Sequence, residues 1–280
     1  MAGALGATVT GIDLRAVTGS DQLDGVRRAL ADHLVVFLPD QDLDLDDLER
    51  LTDLLGGRDL TPFVSPLEDR PYVIRVIKEP EDQLNFANAW HSDLSYLAEP
   101  PAYTLLHAWE VPAVGGDTVW SNQYLAYETL SPGLRETLVG LRAVHSAGMA
   151  YGTGGFLDKV KDLTSMAIAP SPDAYAEHTH PVVIEHPVTH RAALYVNPVY
   201  TTRFEGWNPV ESQELLGHIY RQATNENFTC RLRWDRHTLA IWDNRCTMHN
   251  ALNDYRGARR EMFRTSVKGA ACHGWTTGRP

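Results

Sequence analysis

Two histidines and one aspartate in this chain have the residue types and the spacing to bind a metal ion. His91 and Asp93 flank a single residue, and in an extended strand such a pair points to one face, about 7 Å apart. His249 is the third candidate ligand and has to come from a distant strand. Two imidazoles and a carboxylate on one face of an ion leave positions open, which non-haem Fe(II) oxygenases use for a co-substrate and O₂. A polar surface pair is the competing interpretation, because the chain contains 12 histidines.

Five sequence blocks occur in the order expected of one enzyme family. They are residues 6–14, 90–93, 115–118, 194–197 and 242–264. With these blocks the chain resembles, over nearly its whole length, the taurine dioxygenase / chlorophenoxyacetate dioxygenase family of Fe(II)- and 2-oxoglutarate-dependent oxygenases. The resemblance implies a catalytic Fe(II) bound by His91, Asp93 and His249, with 2-oxoglutarate and O₂ at the open positions. It also implies hydroxylation of an unactivated C–H bond with release of succinate and CO₂.

Two arginines after His249 are suited to binding carboxylates. If residues 261–267 form a strand, Arg260 and Arg264 share one face, with about 13 Å of strand between them. We therefore expect one guanidinium to bind 2-oxoglutarate and the other to lie closer to the metal. The resemblance implies that Arg260 pairs with the distal carboxylate beside the hydroxyl of Thr118, and that Arg264 is shared between the co-substrate and a substrate acid group. The planar fork of arginine binds a carboxylate in a bidentate manner and keeps its charge.

The substrate is predicted to be a small organic acid other than taurine. Taurine-specific relatives carry a histidine where this chain has Thr61, and an asparagine where it has Ala87. The proposed substrate-binding residues are Thr61, Leu94, Tyr200 and Arg264.

The body of the substrate is predicted to be apolar or aromatic. Residues 194–206 resemble those of aryloxyalkanoate (phenoxypropionate-type) dioxygenases most closely. Ether cleavage follows if the hydroxylated carbon bears an aryloxy group, because the resulting hemiacetal collapses. A sulfonate or alkyl-sulfate dioxygenase and a natural-product tailoring hydroxylase are the alternative activities on this scaffold.

The composition is that of an ordinary globular protein. The 280 residues are 43% hydrophobic and 22% charged, with a formal net charge of −11, which disfavours nucleic-acid and anionic-membrane partners. Three widely spaced cysteines without a Cys-x-x-Cys pair argue against disulfides and thiolate metal sites, and favour a cytoplasmic location. No basic leader and no membrane-length apolar run is expected. Relatives commonly form dimers or tetramers, so we expect a homo-oligomer.

Strand-like runs dominate the second half of the chain, and helix signals are few. Helices are predicted from about Asp44 to Gly56, and after the Ser131-Pro132 and Asn208-Pro209 caps to about residues 141 and 223. Strands are predicted at 35–38, 72–77, 103–109, 182–185, 193–196, 228–234, 238–242 and 261–267. Regular βαβ alternation is absent, so we predict one mainly β domain over residues 1–280 with flanking helices, a double-stranded β-helix (jelly roll).

Segment 148–175 is rich in Gly, Ser and Pro and is predicted to be a lid over the metal, with a surface excursion as the alternative. His178 and His180 form a competing same-face pair, whereas His186 and His190 are interpreted as structural. Asp243 and Asn244 are interpreted either as partners that orient His249 or as turn-capping residues. Two other protein classes stay open. A non-catalytic jelly roll that binds small acids would not need the three ligands, and a zinc hydrolase would leave the paired arginines without a role.

Overall fold

Strands and short helices alternate irregularly in the computed structural model, which describes residues 3–160, 163 and 166–276. The helices are α1 (Asp24–His33), α2 (Leu45–Leu55), α3 (Gln123–Glu128), α4 (Pro132–Val139), α5 (Gly148–Tyr151), α6 (Phe156–Lys159) and α7 (Pro209–Ala223). The strands are β1 (Ala7–Thr8), β2 (Val35–Leu38), β3 (Arg58–Asp59), β4 (Ile74–Lys78), β5 (Tyr103–Glu110), β6 (Thr118–Asn122), β7 (Arg142–Ser146), β8 (Glu177–Pro181), β9 (Val183–Glu185), β10 (Ala192–Leu194), β11 (Thr201–Phe204), β12 (Thr229–Leu232), β13 (Leu239–Asp243), β14 (Thr247–Ala251) and β15 (Arg260–Val267). The predicted class, mainly β with flanking helices, is confirmed.

The largest sheet has seven strands in the order β1-β2-β13-β5-β15-β3, with β4 also paired to β15. A smaller sheet has the order β12-β6-β14. Buried residues of both sheets, among them Trp120 of β6, Trp242 of β13 and Met262 of β15, belong to one apolar cluster. The two sheets therefore enclose a common interior, into which side chains of alternate strand residues point.

The outer face of the seven-stranded sheet is covered by helices α1 and α2. Ile241 and Phe263 point to this face and pack with Leu30, Leu48 and Leu51 of the helices. Because successive strand residues point to opposite faces, burying Phe263 against the helices turns its neighbours Met262 and Arg264 inward. The helices thus help to fix which residues of β15 face the interior.

Helix ends follow the capping signals in the sequence. Asp44 accepts a hydrogen bond from the backbone N–H of Asp47 at 2.8 Å, and α2 ends at Gly56, whose φ of 154° favours glycine. The side chains of Ser131 and Asn208 cap α4 and α7, each ahead of a proline. These three predicted helices are confirmed, although α4 ends two residues early, at Val139.

One structural assumption about the His91–Asp93 pair is wrong. His91 forms only an isolated bridge rather than lying within a regular strand, and the chain turns directly afterwards, with Leu94 at φ 50°. In the predicted lid segment the structure has the short helices α5 and α6. Residues 161, 162, 164 and 165 of that segment lie outside the described residues.

Candidate active site

The side chains of His91, Asp93 and His249 converge on one point in the interior. Their candidate ligand atoms all lie within 4.8 Å of one another. Oδ1 of Asp93 is 3.5 Å from Nε2 of His91 and 3.9 Å from Nε2 of His249. All three residues are buried. Residues distant in the chain thus present two nitrogens and one oxygen to a common position, the donor set predicted from the sequence.

Backbone pairing brings the two histidines together. His91 donates its N–H to the carbonyl of His249 at 3.0 Å, and His249 returns a bond of 2.8 Å to the carbonyl of His91. The second histidine is held by β14, where it lies opposite Trp120 of β6. The turn at Leu94 then brings the carboxylate of Asp93 back toward both rings.

The protonation states suit metal binding. Nδ1 of His91 donates its hydrogen to the carbonyl of Ala89 at 2.7 Å, so Nε2 is the ring nitrogen that faces Asp93. Burial, together with the neighbouring His91, lowers the pKa of His249 to about 3. Burial opposes ionisation of Asp93, but the charge of Arg264 outweighs it and holds the pKa of this carboxyl well below its ordinary value. At neutral pH His249 is therefore neutral and Asp93 is charged, which are the forms of these side chains that bind metals.

A hydrogen-bonded chain orients the carboxylate of Asp93. Its Oδ2 accepts a bond of 2.7 Å from the hydroxyl of Thr104, which in turn accepts one of 3.0 Å from Nδ2 of Asn244. On the other oxygen, Nη2 of Arg264 lies 3.1 Å from Oδ1. Asn244 was considered in the sequence as an orienting partner of His249; in the structure it acts on Asp93 instead.

The two predicted arginines both reach the interior from β15. Arg260 and Arg264 are buried, and both line a deep cavity of about 30 Å³ together with Thr118, Trp242 and His249. Nε and Nη2 of Arg260 have no hydrogen-bond partner among the described residues, and burial lowers the pKa of this guanidinium. Buried N–H groups of a cation that lack an acceptor are unfavourable, so the free Nε and Nη2 of Arg260 fit an external carboxylate.

The Gly115-Gly116 turn places Thr118 beside Arg260. A Cβ at Gly115, whose φ is 82°, would lie 2.8 Å from the carbonyl oxygen of Asp254. The hydroxyl of Thr118 accepts a bond of 3.0 Å from Nε1 of Trp234. Its own hydrogen therefore remains available to a ligand in the deep cavity.

A second cavity, here named the outer cavity, has a volume of about 200 Å³. Its walls are mainly apolar and aromatic, and it also reaches His91, Asp93 and Arg264; the wall residues include Leu84, Leu94, Tyr151, Phe156, Leu157 and Tyr200. Arg264 lines both cavities. It is therefore placed to meet ligands in either one.

Of the predicted substrate contacts, Leu94, Tyr200 and Arg264 lie at the outer cavity and Thr61 does not. Thr61 is half-buried, and a nearby residue, Phe63, packs on Tyr96 and Tyr151 at ring distances of 5.9 Å. The chain in this region thus contributes to the wall behind the cavity rather than to its lining.

Several lining residues escaped the sequence analysis. Leu84 precedes the His91 motif in an irregular segment, and Tyr151, Phe156 and Leu157 belong to the short helices of the predicted lid. No periodicity marks these positions. The glycine- and proline-rich composition of segment 148–175 was the only available signal for three of them.

The remaining histidine candidates are bonded within the protein. Nε2 of His180 lies 2.9 Å from the carbonyl of Leu97, and the described residues contain no metal-like group around His178 and His180. A second cluster does occur, formed by His186, Asp243 and Cys246. Nε2 of His186 is 2.9 Å from Asp243, and its Nδ1 accepts backbone bonds from residues 188 and 189.

Asp243 has its own ion-pair partner. Nε of Arg245 donates to this carboxylate at 2.8 Å, and Arg245 also lies over the ring of Tyr103. Burial opposes ionisation of Asp243, but the charge of Arg245 outweighs it and keeps the pKa of the carboxyl well below its ordinary value. Asp243 therefore joins a satisfied buried network, and the idea that it orients His249 gains no support from its contacts.

Comparison with known proteins agrees with this geometry. Residues 1–266 match the family of taurine catabolism dioxygenases (TauD, TfdA family). An alpha-ketoglutarate-dependent sulfate ester dioxygenase of Pseudomonas putida is 32% identical over 271 residues, covering 96% of this chain and 88% of the relative. An alkylsulfatase of Acinetobacter baylyi (strain ATCC 33305 / BD413 / ADP1) is 30% identical over 275 residues, covering 98% and 85%. The crystal structure of a taurine dioxygenase from Burkholderia xenovorans superimposes with a TM-score of 0.80 at 30% identity, covering 98% of this chain and 90% of that one.

The fold and the site define an α-ketoglutarate-dependent dioxygenase, an enzyme class that uses Fe(II), 2-oxoglutarate and O₂. The chain belongs to the TauD, TfdA family. None of the described helices is long and apolar enough to span a membrane.

Proposed function

We propose that this enzyme hydroxylates a small organic anion with an apolar body, in a single jelly-roll domain. The iron would be held by His91, Asp93 and His249. The observation that supports this assignment most strongly is the convergence of their ligand atoms within 4.8 Å, beside a buried Arg260 whose Nε and Nη2 have no hydrogen-bond partner among the described residues. A zinc hydrolase would need the three ligands, but it would leave the deep cationic cavity without a role.

The co-substrate is proposed to occupy the deep cavity. Arg260 and the hydroxyl of Thr118 would bind the distal carboxylate of 2-oxoglutarate, and Arg264 would face the carboxylate nearest the metal. Bound Fe(II) with its keto acid supplies the oxidising chemistry, and the protein contributes placement and electrostatics. Arg264 also neutralises Asp93 at 3.1 Å, which keeps the ligand charged without leaving a buried negative charge uncompensated.

The substrate is proposed to lie in the outer cavity with its anionic group at Arg264. This arginine is the one described Lys or Arg side chain that lines the cavity. Leu84, Phe156 and Leu157 would then contact the apolar end. Helices α5 and α6 would act as a lid, because Tyr151 and Phe156 project from them into the lining and would exclude water from the reacting carbon.

An alkyl sulfate ester is the substrate class that we place first. Hydroxylation of the carbon next to the ester oxygen gives a hemiacetal-like product, whose C–O bond breaks to release an aldehyde and sulfate. One O₂ supplies one oxygen atom to this carbon and one to succinate, as 2-oxoglutarate loses CO₂. The names of the two relatives compared above, a sulfate ester dioxygenase and an alkylsulfatase, favour this class.

An aryloxyalkanoate is the second candidate, and the same chemistry would cleave its ether bond to a phenol and a keto acid or aldehyde. The aromatic lining favours it, since Tyr151, Phe156 and Tyr200 line the outer cavity and Tyr200 packs edge to face on His91 at 6.2 Å. Aromatic surfaces of this kind suit an aryl ring.

A panel assay tests the proposal. Protein reconstituted anaerobically with Fe(II) and 2-oxoglutarate is mixed with O₂ and one candidate substrate. Succinate is measured together with the second product, which is sulfate from an alkyl sulfate, a phenol from an aryloxyalkanoate and sulfite from an alkyl sulfonate. We expect substrate-dependent succinate with stoichiometric sulfate, and no turnover in His249→Ala. Succinate release that no anion of the panel stimulates would contradict the substrate class. Turnover in His249→Ala equal to that of the wild type would contradict the metal assignment.

A further inference from the structure

A second buried cation lies next to Arg260. Lys78, at the end of β4, is 1% exposed, and its Nζ has no hydrogen-bond partner among the described residues. Its recorded neighbour is the ring of Tyr255, whose centroid is 4.7 Å from Nζ. A cation–π contact of this kind returns only part of the cost of burying an ammonium group. The arrangement therefore calls for an anion.

The sheet register places Lys78 on the face of the sheet that borders the deep cavity. Lys78 lies directly opposite Arg260 in the antiparallel pair β4–β15, and opposed residues point to the same face, with Cβ atoms about 5 Å apart. Val76 is two residues earlier, so it also shares that face, and it lines the deep cavity with Arg260. The two cations thus belong to one interior surface.

The nearby carboxylates of Asp117 and Glu79 pair with arginines other than Arg260. Oδ2 of Asp117 lies 2.6 Å from Nε of Arg231, while its Oδ1 has no hydrogen-bond partner among the described residues. Glu79 pairs with Arg259 at 3.1 Å. Two like charges side by side in an interior are unfavourable. The free guanidinium nitrogens of Arg260 and the free ammonium of Lys78 offer hydrogen bonds that a single carboxylate could accept.

We propose that Lys78 is a further co-substrate-binding residue, which together with Arg260 binds the distal carboxylate of the keto acid. This inference rests on the proposed function, because it takes the deep cavity as the site of 2-oxoglutarate. It makes a specific claim about selectivity. Lys78 contributes to the preference for a keto acid with a second carboxylate, and it does not contribute to binding of the keto-acid head at the metal.

Calorimetric titration of the anaerobic Fe(II) protein tests this claim without turnover. The ligands are 2-oxoglutarate and 2-oxobutyrate, which has the same keto-acid head but no distal carboxylate. Lys78→Met should lower the affinity for 2-oxoglutarate at least about tenfold and leave the affinity for 2-oxobutyrate within about twofold of the wild type. Lys268→Met, which removes an exposed lysine beyond the site, should bind both ligands as the wild type does. Lys78→Gln serves as the second variant if the methionine variant does not fold.

The outcomes separate the two claims. If Lys78→Met binds 2-oxoglutarate with wild-type affinity, or loses both keto acids equally, Lys78 only packs on Tyr255 and the inference is wrong. An Arg260→Met variant is titrated in parallel. If that variant keeps the wild-type preference for 2-oxoglutarate over 2-oxobutyrate, the proposed position of the co-substrate is wrong. If Arg260→Met loses affinity for 2-oxoglutarate and Lys78→Met does not, only the proposed role of the lysine is wrong.

Discussion

The hydroxyl of Thr104 donates to Oδ2 of Asp93 at 2.7 Å and leaves Oδ1 directed at the two histidines. The hydroxyl is itself held by Asn244 at 3.0 Å. The carboxylate of Asp93 can rotate about its Cβ–Cγ bond. The hydrogen bonds from Asn244 through Thr104 select one orientation of this carboxylate before a metal binds. Groups that orient metal ligands in this way often contribute about 10- to 100-fold in metal affinity.

Thr104→Val should therefore weaken Fe(II) binding. The substitution keeps the shape of the side chain but removes the donor to Asp93, so we expect the Fe(II) dissociation constant to rise about tenfold or more. Anaerobic Fe(II) titration measures it. Thr104→Ser restores the hydroxyl and should bind iron within about threefold of the wild type. Equal iron affinity in the valine variant would show that Arg264 alone is enough to orient the carboxylate.

Asp243→Asn should reduce stability without affecting the metal. The substitution leaves Arg245 buried without its carboxylate and also removes the partner of His186. Breaking a buried pair on one side costs about 3–5 kcal/mol of unfolding free energy, which urea denaturation can measure. Iron affinity of the folded variant should stay at the wild-type value. A large loss of iron affinity with normal stability would revive the idea that Asp243 orients His249.

The stability of the protein should fall as pH drops below about 6.5, in part through His107. Burial lowers the pKa of His107 to about 4. Its Nε2 lies 2.7 Å from the carbonyl of Gln41, and its Nδ1 accepts from Trp109 at 2.9 Å. In the unfolded chain this histidine binds a proton below about pH 6.5, whereas the folded protein resists protonation down to about 4. The free energy of unfolding therefore falls by up to about 3 kcal/mol as the pH drops from about 6.5 to about 4, and His107 causes no further loss below that range.

Chemical denaturation at a series of pH values tests the role of His107. His107→Gln should be less stable at pH 7 but should lose less stability between pH 6.5 and 4 than the wild type does. His218→Gln, which alters an exposed histidine of α7, should keep the wild-type pH dependence. If His107→Gln loses as much stability between pH 6.5 and 4 as the wild type does, other buried groups account for the acid sensitivity.

Phe156→Ala should change selectivity for the apolar end of the substrate. The ring lines the outer cavity yet is 62% exposed, so its removal should have little effect on folding. We expect KM to rise about threefold to tenfold for substrates whose tails reach the ring, which is about 1 kcal/mol of apolar contact. Short substrates should keep their KM. Met149→Ala is the matched control, since Met149 is exposed in the same segment but is not among the lining residues. Equal changes in both variants would argue against a substrate contact at Phe156.

The local elements could be predicted where capping and apolar spacing agree. Helix α2 has the Asp44 cap, a leucine stripe and Gly56, and α7 has the Asn208-Pro209 start; both were found at nearly their observed bounds. The inward face of β15 was also predictable, because Arg260, Met262 and Arg264 alternate with residues of the other face. In each case the signal lies within a few residues of sequence.

The long-range pairings could not be predicted in the same way. Strand β14 (Thr247–Ala251) carries His249 but lacks an alternating pattern, and it is a strand because it pairs with β6, far away in the chain. Neither strand was identified, although residues of both were selected through the family resemblance. The extended strand considered for His91 and Asp93 is replaced by an isolated bridge, and the path from Asn244 through Thr104 to Asp93 depends on tertiary contacts that no local pattern records.

Anomalous diffraction from crystals grown anaerobically with Fe(II) and 2-oxoglutarate is the most direct test of the account. It predicts one iron peak per chain, about 2.1 Å from Nε2 of His91, Nε2 of His249 and Oδ1 of Asp93, with the distal carboxylate of the keto acid at Arg260. A peak between His186, Asp243 and Cys246, with none beside His249, would contradict it.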